Sequence, residues 1–183
     1  RLFDLGLTLA VVVFSLWLHD QARVRATRRL GDAEAASRQR SPDNPLARVD
    51  WIGSLIVPAF LLFRRMSMLG WTKFLDLDED KLRSPRRDGL LIALAGPLAN
   101  LLLAVSGIAA FRVLAASGMA NSPFLMKIVP FFCLANANLA VFNLLPIPPL
   151  DGGRVLMGLL PYRQASTLGR LEPYGMMIII LLV

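Results

Sequence analysis

The chain has 183 residues, 55% of them hydrophobic, with 20 Lys and Arg against 13 Asp and Glu for a formal net charge of +7. That apolar share exceeds the roughly 45–50% of soluble domains, which excludes a disordered chain and argues against an ordinary soluble domain. A single cysteine, Cys133, excludes a disulfide framework and a cysteine-built zinc site, and the basic residues form no nucleic-acid-binding motif, so no nucleic-acid partner is expected.

In chain order, residues 2–19 form the first apolar run, interrupted only by Asp4 and long enough for a transmembrane helix. The polar stretch from Arg23 to Arg48 starts as a continuation of that helix and is broken by Ser41-Pro42-Asp43-Asn44-Pro45. Residues 51–63 are apolar but short and contain Pro58, the pattern of a re-entrant or interfacial element. Residues 89–116 make a second long span, with Arg112 near enough to its end to snorkel. Residues 123–150 make a third, charged only at Lys127. Residues 175–183 are again apolar and read as a truncated C-terminal helix. The predicted fold is therefore an all-α integral membrane protein: one domain with three long transmembrane helices and two short apolar elements, its partner the lipid bilayer.

Charge placement orients this arrangement. Fourteen of the 20 basic residues lie in 20–50 and 64–88, whereas the connection Ser117–Ser122 carries none. If 51–63 does not cross, both basic stretches, His19 and Asp151 share one face, which the positive-inside rule makes cytoplasmic.

Three local features carry chemistry. His19-Asp20-Gln21-Ala22-Arg23 closes the first run. Ala95-Gly96-Pro97-Leu98-Ala99-Asn100 lies inside the second. Asn143-Leu144-Leu145-Pro146-Ile147-Pro148-Pro149-Leu150-Asp151-Gly152-Gly153-Arg154 ends the third. Taken residue by residue, each has an ordinary structural role. Asp151 can cap a short helix over 152–160, and Gly96 with Pro97 can serve close packing and a kink. Asn100, Asn136, Asn138 and Asn143 can bond between helices, and Trp17, Trp51 and Trp71 suit an interfacial belt.

Taken together, in this order and spacing, the three features resemble the site-2 protease family of intramembrane zinc metalloproteases. The resemblance extends to Arg29-Leu30-Gly31-Asp32, Asn44-Pro45, Asp50 and Gly70-Trp71-Thr72-Lys73, and so covers nearly the whole chain. It implies a bacterial inner-membrane protein whose site faces the cytoplasm. In that family the first motif is H-E-x-x-H, two zinc-binding histidines one helical turn apart with a glutamate base between them. The resemblance makes His19 the first metal ligand, Asp151 the third, Asp20 the general-base position and Asn143 a carbonyl-polarising position. Gly96, Pro97, Asn100, Pro146 and Gly152 are structural.

The departures from the family pattern are specific. Arg23 stands at the second histidine, and a guanidinium has five donors and no lone pair for a metal. Asp20 replaces the glutamate and is one methylene shorter. Arg48, Trp51 and Phe74-Leu75-Asp76 also differ, and His19 is the chain's one histidine. An arginine at membrane depth calls for a partner. Arg23 is therefore expected within about 4 Å, the ion-pair limit, of Asp151 or Asp20. Two functions remain open: a catalytically inactive pseudoprotease, without a cofactor, acting as a binding or structural subunit beside other membrane proteins; or an active zinc protease cleaving a transmembrane substrate near the cytoplasmic face.

Overall fold

The computed structural model describes residues 2–32, 34, 77–118, 122–175 and 177. The predicted element at 51–63, nearly all of 175–183, and Arg48, Trp51 and Trp71 lie outside them. Every regular element among the described residues is helical.

Helix α1, Leu2–Leu30, covers the first predicted span and continues into the polar stretch. It ends at Gly31, whose φ of +130° suits a residue without a side chain. A Cβ there would lie 2.6 Å from the Lys81 carbonyl oxygen, so the glycine also admits the 77–82 segment, which contains the 3₁₀ turn Glu79–Lys81. Asp32 secures this junction by accepting a hydrogen bond from the Asp78 backbone N–H at 2.9 Å, and Lys81 pairs with Glu34.

Helix α2, Pro85–Ala116, begins four residues before the predicted span. Pro85 tolerates the first turn because its missing N–H is not needed there. The buried Asp88 carboxylate accepts the Ser84 backbone N–H at 2.8 Å, satisfying the donor of the cap residue from the first turn. Helix α3, Pro123–Asn143, is shorter than the predicted 123–150. Residues 144–150 leave the helix because Pro146, Pro148 and Pro149 supply no backbone donors. The chain then enters α4, Asp151–Leu159, and α5, Tyr162–Gly169.

Helix α2 is central, packing against α1, α3 and α4. Between α1 and α3 lies an apolar core of Val12, Leu16, Ala135 and Leu139. The outer faces are also apolar: Leu102, Val105 and Val113 on α2 and Met126, Leu134 and Val141 on α3 are exposed. Helices α2 and α3 are both long and apolar enough to cross a membrane. Exposed faces of this kind fit a hydrocarbon solvent better than water.

Two glycines join α4 to the loop before it. A Cβ on Gly152 would meet the Leu144 carbonyl oxygen at 2.1 Å and its carbon at 2.3 Å, and one on Gly153 would meet the Pro148 nitrogen at 2.5 Å. The obstacle is backbone, which cannot swing aside as a side chain can. Gly152→Ala is accordingly expected to destabilise the protein by about 3 kcal/mol, the upper part of the range for overpacking, measured by reversible denaturant unfolding in detergent.

Candidate functional site

Helix α1 buries polar residues at every fourth position: Ser15, His19, Arg23 and Thr27 are each no more than 1% exposed. A four-residue step keeps them on one face, so the helix turns a polar stripe inward. His19 and Arg23 meet the first residue of α4. His19 Nε2–H donates to Asp151 Oδ2 at 2.8 Å, and Arg23 Nη1 donates to Asp151 Oδ1 at 2.9 Å. The other arm of the guanidinium, Nη2, donates to Asp20 Oδ1 at 3.1 Å. One arginine therefore bridges two carboxylates, and the pairing expected of it from the sequence is present.

These groups sit almost entirely out of solvent. Side-chain exposure is 2% for Arg23 and Asp151 and 14% for Asp20. Isolated charges at such depth would be very costly, so the bridging geometry is what makes the burial tolerable. Thr27 Oγ1 donates to the Arg23 carbonyl oxygen at 2.9 Å and closes the stripe. Thr27 was not singled out from the sequence, although the 15-19-23-27 spacing carried the signal.

Asp151 does not cap its own helix. Leu150 holds the cap position, no side-chain cap bond is made, and the carboxylate turns to α1. The capping role is therefore corrected, because two strong donors on α1 outcompete a backbone N–H. The interhelical bonding expected of the asparagines is corrected for Asn136, whose Nδ2 donates to Phe132 O one turn back on its own helix. Fully buried Asn100 has no partner among the described residues at either amide atom. Asn143 donates from Nδ2 to Leu139 O at 2.8 Å and is 2% exposed.

Gly96 lets α2 approach the site. A Cβ there would stand 2.3 Å from His19 Nε2 and 2.5 Å from Cε1, so the imidazole lies against the bare backbone of the helix. Gly96→Ala is expected to push the ring away from Asp151 and cost about 1–3 kcal/mol, read by unfolding in detergent. Pro97 lies next to it inside α2 and is buried. Pro146 is exposed in the loop before Asp151.

Among the described residues, no three or more His, Cys, Asp or Glu side chains are arranged to hold a metal ion. The polar groups gathered here are one imidazole and two carboxylates, with a guanidinium between the carboxylates.

Residues 113–183 match Peptidase family M50. Across 175 aligned residues the chain is 29% identical to a protein described as putative zinc metalloprotease YwhC from Bacillus subtilis (strain 168), which covers 93% of this chain and 77% of that protein. No solved structure matches.

Proposed function

From membership of the site-2-protease-like group, with its membrane setting, we propose that this chain is a catalytically inactive relative, a pseudoprotease retained as a binding or structural subunit of an assembly in the bacterial inner membrane, its former active site toward the cytoplasm. The observation that carries the reading is the Arg23 bridge between Asp151 and Asp20. A fixed positive charge holds one oxygen of the ligand-position Asp151 and one of the base-position Asp20, and Arg23 itself supplies no lone pair. His19 contributes one imidazole, its Nε2 turned to Asp151, and no second imidazole stands beside it. These residues do not fit zinc.

What they do instead is mechanical. Asp151 ties α4 to α1 over 132 and 128 residues of sequence, as a metal shared by the two helices would. Helix–helix contact in a bilayer gains no hydrophobic driving force, so a buried polar clamp between charged partners contributes directly to holding the bundle.

The second reading is an active intramembrane zinc protease. It is favoured by His19, Asn143 and Asp151 standing in the family's order and by the similarity to a protein named as a zinc metalloprotease. Metal analysis of the purified, unaltered protein separates the two. Zinc well below one per chain is expected; stoichiometric zinc overturns the pseudoprotease reading.

A further inference from the structure

A second polar locus lies away from the Arg23 clamp. A cavity of about 610 Å³ opens between the start of α2, helix α4 and helix α5, lined by Leu82, Arg86, Leu90, Arg154, Met157 and Tyr162 among others. Its volume lies within the range of small-molecule sites. We propose that this cavity binds the phosphate of an anionic phospholipid, with Arg86 and Arg154 holding the headgroup and Leu90 and Met157 lying under the first part of its acyl chains.

The lining is graded like a membrane interface. The apolar run of α2 begins at Gly89, so Arg86 lies one turn outside it and Leu90 one residue inside. Met157 joins Leu90 from α4, and Tyr162 adds an amphipathic ring of the kind that settles at headgroup level. A soluble phosphate ester would satisfy the arginines but leave the apolar part of the cavity uncovered. A lipid covers both, which is why the lipid source is favoured.

The charges are fixed in place before any ligand arrives. Arg86 Nη2 donates to the carbonyl oxygens of Gly158 and Leu160 at the end of α4. Arg154 Nη2 donates to Glu172 Oε1 at 2.7 Å, with Glu172 also in the cavity wall. Two guanidinium groups against one carboxylate leave the lining net positive. Guanidinium matches phosphate with paired donors, and fixing it in advance lowers the ordering cost of binding. Basic pockets between membrane helices on the cytoplasmic side bind anionic headgroups by the same logic. A zwitterionic choline headgroup carries a cation that these arginines repel.

The test uses the purified full chain in neutral detergent and reads the midpoint of thermal unfolding during titration with dioleoyl phosphatidylglycerol, dioleoyl phosphatidylcholine or glycerol 3-phosphate. A saturable rise with phosphatidylglycerol alone is expected. Arg86→Gln and Arg154→Gln should each weaken its apparent affinity by about tenfold, as loss of a charged hydrogen bond implies. Ala165→Trp, which fills the cavity without changing charge, should abolish the rise. Arg87→Gln removes a neighbouring positive charge outside the cavity and should leave it intact. Each shift is measured against the same variant without lipid, so a less stable variant still reports. An equal rise with phosphatidylcholine, an equal loss in Arg87→Gln, or full saturation by glycerol 3-phosphate overturns the proposal.

Discussion

Replacing Asp20 by Glu and Arg23 by His in one chain is expected to yield a protein that retains about one zinc per molecule through purification, where the unaltered chain retains far less. The geometry supports the expectation. Position 23 lies one helical turn from His19 on the face that already meets Asp151, since Arg23 and His19 reach the two oxygens of that one carboxylate. An imidazole at 23 would remove the guanidinium and supply a second neutral nitrogen, making two imidazoles and a carboxylate with one position left for water. Metal content by elemental analysis after dialysis is the measurement. Failure of the double variant to take up zinc, while folding normally, would show that the surrounding helices have closed beyond recovery. Zinc at one per chain in the unaltered protein would instead show that His19 and Asp151 ligate despite Arg23.

The second large effect concerns stability. Arg23→Met is expected to cost about 3–5 kcal/mol, the penalty for stripping one partner from a buried ion pair. Asp151 would keep only the His19 contact at 2% exposure, whereas Asp20 at 14% has some access to water. Adding Asp151→Leu to Arg23→Met should recover part of the loss, because the deeper carboxylate is no longer stranded, while His19 loses its acceptor and Asp20 its guanidinium. The two changes should therefore be strongly non-additive in unfolding free energy. Additive losses would mean that the arginine acts mainly through Asp20 or through packing of its stem.

Much of this architecture was legible in the residues. Long apolar runs marked α2 and α3, and the incompatibility of arginine at membrane depth with isolation pointed to the Arg23 pairing. The order of the His19, Gly96 and Asp151 features placed three distant segments together, and Gly96 does lie against His19. What local sequence could not give was competition between partners. Asp151 carries every sign of a helix cap, yet two donors on α1, more than 120 residues away, take its oxygens. Asn136 likewise has a donor's choice between a neighbouring helix and its own, and the carbonyl at i−4 is nearer. The end of α3 was overrun for a related reason: 144–150 are apolar enough for a span, but hydropathy does not register that three prolines lack N–H groups.

The local contact between Arg23 and Asp20 bears on the order in which the chain is made. Asp151 is synthesised more than a hundred residues after α1, so the clamp between helices has no second jaw while the first helix is young. Asp20, only three positions away, needs no other segment to reach the guanidinium. The nascent helix thus carries its own provisional counter-ion, and its arginine can wait near the membrane as a neutral pair until the later partner emerges. On that account a carboxylate at position 20 serves the assembly of the helices whether or not the site is catalytic.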